Sequence, residues 1–157
     1  MEGWQASQRW LADGSFESEQ RIALRTPVVE FTRAGGESLG RAYWFSVQRA
    51  TRSLVRPRCS SAGVELRLLG RGPALLRFGP TRIDAGPGRV ECTYPIDGGL
   101  LTTRAAGEIE FVQTADVLGA TVRGFFPRLL LLYRLQRRAH VAVSRRYFAR
   151  LLGEAGR

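Results

Sequence analysis

From residue 63 to residue 124 the chain keeps one rhythm, short runs of alternating apolar and polar residues separated by turn residues. In "GVELRLLG", Val64, Leu66 and Leu68 alternate with Glu65 and Arg67. In "GRVECTYPI", Val90, Cys92 and Tyr94 fall on one side, with Arg89, Glu91 and Thr93 on the other. In "GEIEFVQ", Ile109 and Phe111 alternate with Glu108, Glu110 and Val112, while "PALLRFGPTRIDA" reads as one bent strand or two and "DVLGATVRGFF" as the last. Successive side chains of a strand point to opposite faces, so a period of two marks strands with one buried face. Strands joined by tight turns pair antiparallel, and a sheet with one apolar face needs a covering layer.

The cover comes next in the chain. After Pro127, a residue tolerated in a first helical turn, the period changes, and "LYRLQRRAHVAVSRRYFARLL" (132–152) fits a helix. At about 100° per residue, Leu129, Leu132, Tyr133, Gln136, His140, Val143, Tyr147 and Leu151 form one stripe. Arg134, Arg138, Arg145 and Arg146 lie largely opposite, Arg137 and Arg150 flank the stripe, and Leu130, Val141 and Phe148 widen it. The stripe is unusual because it mixes leucines with two phenols, an amide and the chain's single imidazole. Buried polar tips need hydrogen-bond partners, which backbone carbonyls, ordered water or a ligand can supply. Apolar walls with a few polar groups describe small-molecule sites. Tyr133, Gln136, His140 and Tyr147 are therefore the candidate lining of a pocket, joined by Tyr94 and Trp44.

Residues 1–19 stand as an extension, helical through Trp10 and Leu11, and "RIALRTPVVEFTR" reads as a strand with Pro27 at a bulge or edge. "AGGES" reads as a turn. "SLGRAYWFSVQRATRSLV" has helical spacing over 39–55, with Ser38 as N-cap and Pro57 as its stop. The apolar side of that helix carries Leu39, Tyr43 and Val47, so its aromatics read as core residues. No repeat or linker divides the chain, which gives one domain over residues 1–157. The expected architecture is α+β: a single antiparallel sheet of about six to seven strands around a long C-terminal helix, with one helix inserted after the first strand.

The formal charge is +10, all 24 basic residues are arginine, and lysine and asparagine are missing altogether. That usage resembles the output of a GC-rich genome, which accounts for arginine over lysine but not for the excess over 14 acids. Nucleic acid or an anionic membrane is thus the alternative partner, reached through the arginine face of the last helix. Cys59 and Cys92 lack metal-ligand or CxxC spacing, no phosphate-binding loop or GxSxG elbow is present, and neither metal nor cofactor is expected. The absence of an apolar signal core or an 18-residue apolar run gives the expectation of a soluble, cytoplasmic protein. Cys92 shares its side with Val90 and Tyr94 and reads as a buried thiol. No catalytic residue is assigned; His140 is the one candidate general base, with Asp97 or Tyr94 as its conceivable partner.

The order strand, helix, antiparallel run and long terminal helix resembles the helix-grip superfamily (SRPBCC), which comprises START domains, plant pathogenesis-related proteins of the Bet v 1 kind and bacterial polyketide cyclases. "GVELRLLGRGPALLRFGPTRIDAGPGRVECTYPI" followed by "FFPRLLLLYRLQRRAHVAVSRRYFARLL" is also similar to actinobacterial proteins of this general type. The resemblance spans residues from about 20 to 152 and is one of layout, without a catalytic motif to transfer. The family usually has two short helices where this sequence has one. The resemblance implies a deep apolar cavity between sheet and terminal helix, holding a lipid, polyketide or similar hydrophobic molecule. In some members such a pocket serves a cyclase, dehydratase or isomerase.

Overall fold

The computed structural model describes residues 3–127 and 130–155, with side chains of the second helix described from Arg134 to Gly153. The fold is α+β, as expected: one antiparallel sheet covered on one face by two helices. The strands are β1 (Gln5–Trp10), β2 (Phe16–Ala23), β3 (Val55–Ser60), β4 (Gly63–Leu68), β5 (Ala74–Phe78), β6 (Arg82–Gly86), β7 (Arg89–Gly98), β8 (Gly107–Thr114) and β9 (Val117–Gly124). Helix α1 runs Arg33–Ala50 and α2 runs Leu130–Ala155. The sheet order is β1-β2-β9-β8-β7-β5-β4-β3, with β6 also pairing with β7. The layout is consistent with a helix-grip fold.

The alternation at residues 63–124 becomes the inner face of this sheet. Register carries single rows across it: Gln20 pairs with Ala120, Ala120 with Phe111 and Phe111 with Cys92. The neighbouring row runs Ser18, Val122, Ile109, Tyr94. "PALLRFGPTRIDA" forms two strands, β5 and β6, lying one after the other along the same edge of β7. Glutamates 65, 91, 108 and 110 take the other face. There Arg67 pairs with Glu65, Arg82 with Glu108 and Arg89 with Glu91.

Several elements differ from the sequence reading, and each has a physical cause. The described part of the expected extension, residues 3–19, is not helical: β1 and the start of β2 lie there, so the sheet has nine strands and α1 follows the second. The first strand of the reading, "RIALRTPVVEFTR", lies mostly in the loop after β2, where Gln113 holds it. That amide, fully buried on β8, accepts from the N–H groups of Val28 (2.8 Å) and Val29 (2.9 Å) and donates to the Val29 carbonyl (2.7 Å). "AGGES" is the first turn of α1, whose N-cap is Thr32, accepting from Gly35 N–H at 3.1 Å, rather than Ser38.

Those glycines serve close packing. A methyl on Gly36 would overlap Ile83, and one on Gly40 would overlap the Tyr94 hydroxyl, so the helix backbone approaches β6 and β7 because side chains are missing. At the other end α1 stops at Thr51, whose hydroxyl donates to the Val47 carbonyl (2.9 Å) and accepts from Val55 N–H (3.1 Å). Pro57 lies beyond this stop, inside β3. That strand pairs only with β4, and an edge strand tolerates proline's missing donor.

Candidate functional site

Helix α2 lies over the inner face as the wheel requires. Val143, Tyr147, Phe148 and Leu151 are buried, Gln136 and His140 are half-buried, and all six arginines from Arg134 to Arg150 are exposed. The expected pocket residue Tyr133 has its side chain outside the described residues, as do Leu129 and Leu132.

The two ends of the stripe differ. Around Tyr147 the interior is solid: its ring lies 5.5 Å from Tyr43 and 5.4 Å from Phe111, and Tyr43 lies 4.7 Å from Phe111. Around Gln136 and His140 a cavity of about 130 Å³ remains. Helix α1 supplies Tyr43, Trp44 and Val47 to its wall, and the sheet supplies Leu66, Phe78, Ile109 and Val122. Leu101 and Phe126 close it from loops, and Ala139 and Val143 complete the α2 side. The walls are mostly apolar. The polar groups are the Gln136 amide, the His140 imidazole, the Tyr43 hydroxyl and the Trp44 indole.

Of the six candidate residues, the structure brings Gln136, His140 and Trp44 together at this cavity. Tyr94 and Tyr147 instead belong to the packed aromatic floor, where Trp44 lies 5.1 Å from Tyr94 and 4.9 Å from Phe78. The sequence reading did not name the rest of the lining, which includes Tyr43, Leu66, Leu75, Leu76, Phe78 and Phe126. The adjacent apolar pair Leu75 and Leu76 was the available signal, since a doublet breaks the alternation that places every second residue in solvent.

Burial sets the electrostatics. Desolvation pulls the His140 pKa down to about 4, and the Phe126 ring stands edge-on to it at 6.4 Å. Among the described residues no side chain hydrogen-bonds its ring nitrogens. Desolvation also pushes Tyr94 up to about 12 and raises Tyr43 and Tyr147. The Tyr147 hydroxyl and the Trp44 Nε1 are buried without a hydrogen bond of normal geometry, although the Trp44 N–H and the Tyr94 hydroxyl are electrostatic neighbours.

Among the described residues no acid stands beside His140. Asp97 is exposed on the other side of the sheet, in a depression shared with Arg58 and Arg77, so the His140–Asp97 pair does not form. Tyr94 lies beneath Gly40 rather than at the cavity wall. Cys92 is fully buried, its thiol 3.4 Å from the Thr81 hydroxyl and its pKa raised chiefly by burial. Among the described residues no group of three His, Cys, Asp or Glu side chains gathers as for a metal ion.

A second concavity, about 710 Å³, is an open trough whose described lining comes from α2: Arg134, Arg137, Arg138, Arg145 and Arg146 with Val141 and Ala142. Helices α1 and α2 hold nine arginines and two glutamates, which places seven of the ten excess positive charges on the helical layer. Arg146 donates to the Arg49 carbonyl at 2.6 Å, Arg150 stacks on Phe45 at 4.0 Å and Arg145 on Trp4 at 4.8 Å. No described helix is long and apolar enough to cross a membrane. Comparison with protein-family models, curated proteins and solved structures gives no match for this chain.

Proposed function

We propose that the chain binds a hydrophobic small molecule in the cavity between the sheet and the first half of α2. The observation that carries this is the contrast within one helix stripe, solid at Tyr147 and hollow at Gln136 and His140. A core position that served packing alone would be filled by an aliphatic side chain, since interiors are close-packed. Here a half-buried imidazole and an amide face about 130 Å³ of mostly apolar space.

Size narrows the ligand. Drug-sized pockets run to about 300–1,000 Å³, whereas an apolar cavity of about 150 Å³ accepts benzene. A whole lipid or polyketide exceeds the space. A single ring, or one end of a longer chain, fits it. A carbonyl or hydroxyl on that group would find donors or acceptors in Gln136, neutral His140 and the Trp44 N–H.

An enzymatic reading is weaker on the same geometry. With its pKa near 4 and no carboxylate beside it, His140 is neutral at pH 7 and a feeble base. It suits a hydrogen-bonding role.

The test is native mass spectrometry of freshly purified protein, followed by ligand-detected NMR with single-ring apolar compounds. Ala139 borders the cavity from an exposed position, so Ala139→Phe fills the space at little expense to the core. Wild type should bind and Ala139→Phe should not. Failure of every probe up to millimolar concentration, with no co-purifying molecule, would sink the proposal. Turnover of a bound compound that depends on His140 would revive the enzymatic reading.

A further inference from the structure

Six large apolar side chains stand exposed among the described residues, and five of them are leucines gathered at one end of the sheet. Leu54 is in the α1–β3 turn, Leu68 ends β4, Leu69 follows in the β4–β5 turn, Leu100 is in the β7–β8 loop and Leu135 is on α2. Backbone contacts tie the segments together: Leu69 N–H donates to the Leu54 carbonyl (2.7 Å), Leu68 pairs with Val55, and Leu100 N–H donates to the Ala74 carbonyl (3.1 Å). The antiparallel packing of the helices, Phe45 against Arg150 and Arg49 against Arg146, directs the end of α1 toward the first half of α2.

Charge and backbone single out the same end. Segments 51–56, 68–74, 99–106 and 134–138 contain seven arginines and no aspartate or glutamate. Among the described residues, the three non-glycine positions with left-handed backbone, Arg52 (φ 51°), Ser53 (φ 64°) and Leu69 (φ 54°), all lie in its two turns. Such conformations are uncommon outside glycine and cluster where structure serves function. Here they hold turns that present Leu54 and Leu69 to solvent.

We propose that this leucine- and arginine-rich end docks on the surface of an anionic lipid bilayer, with leucines entering the interface and arginines meeting the headgroups. Apolar insertion with electrostatic attraction is how peripheral proteins lie on membranes. A second copy of the chain is disfavoured because it would bring like arginine sets together. Nucleic acid would use the arginines and leave five leucines in water. Leu54, Leu69 and Leu100 project from connecting segments instead of lining a groove, which suits a plane better than a peptide. Four of the five are within two residues of a cavity-lining residue: Leu54 precedes Val55, Leu68 follows Leu66, Leu100 precedes Leu101 and Leu135 precedes Gln136. Docking would therefore set the cavity wall against the membrane, but the proposal stands on the surface and does not depend on the cavity being filled.

The experiment is co-sedimentation of the full chain with phosphatidylglycerol vesicles and with phosphatidylcholine vesicles. Wild type should partition onto the former, and Leu54→Ser/Leu69→Ser/Leu100→Ser should reduce that partition about tenfold or more. Phe45→Ser, the exposed apolar position elsewhere, should leave it unchanged, and circular dichroism should show both variants folded. Binding that ignores the leucine changes and disappears with salt would reduce the surface to nonspecific charge and overturn the proposal. No vesicle binding, or a leucine-dependent dimer in its place by light scattering, would also overturn it.

Discussion

The chain contains one histidine, so its titration can be followed without ambiguity. Burial holds the His140 imidazole at about 4 in the folded protein, against about 6.5 in an unfolded chain. Above pH 6.5 the ring is neutral in both states and contributes nothing to pH dependence. As pH falls from about 6.5 to about 4, the unfolded chain takes up a proton that the native chain refuses. Stability therefore decreases by up to about 1.4 kcal/mol per pH unit across that window, and the loss levels off near 3 kcal/mol below it. His140 as a residue is only half-buried, which makes these values ceilings. Other groups titrate in acid too, so the measurement is a difference: urea denaturation of wild type and His140→Leu at pH 7 and at pH 4.5. The variant should lose less stability than wild type, by about 2 kcal/mol, and the single imidazole Hε1 resonance of wild type should titrate near pH 4. A midpoint near 6.5, or parallel stability losses in the two proteins, would refute the claim that this ring is desolvated at a cavity wall.

Two further perturbations test the packing around the site. Gly40→Ala should lower the melting temperature, because overlap with the Tyr94 hydroxyl costs about 1–3 kcal/mol against the roughly 1 kcal/mol that alanine gains in a helix. In a Tyr94→Phe background the loss should shrink, and a higher melting temperature for Gly40→Ala alone would contradict the close approach of α1 to β7. Tyr147→Phe removes a buried hydroxyl without a partner, so urea denaturation should show unchanged stability or a gain of up to about 1 kcal/mol; a clear loss would reveal a water or ligand bound there.

What the sequence made legible was periodicity. The alternation of Val90, Cys92 and Tyr94, or of Ile109 and Phe111, survives as rows across the inner face because a strand has no other way to divide its side chains. The α2 stripe survives for the same reason. The failures came where tertiary contact overrode local chemistry. "AGGES" has the composition of a turn, but its glycines are spent on helix–sheet approach, which no local window can register. "PVVEFTR" has strand composition but lies beside Gln113, whose amide takes over the backbone partners a neighbouring strand would have given. The site split along the same line: Gln136 and His140 reach the cavity, whereas Tyr147, two turns further on the same stripe, meets the rings of Tyr43 and Phe111. A wheel gives direction from the helix axis and carries no information on what fills the opposite side.

The arginines show the limit of composition in a different way. A genome that writes arginine for lysine changes which cation is used, not where cations stand relative to acids. On the sheet Arg9, Arg21, Arg67, Arg82 and Arg89 each sit beside a glutamate. On α2 and at the leucine end, by contrast, the local sequence supplies arginine after arginine with hardly an acid: six against Glu154 in the helix, and four against none in the three segments around Leu54, Leu69 and Leu100. Exposed surface pairs are worth at most about 1 kcal/mol, so stability gives little reason to match charges in one region and leave them unmatched in another. Their segregation, together with exposed leucines on turns of left-handed backbone, is a property of placement that biased codon usage does not produce.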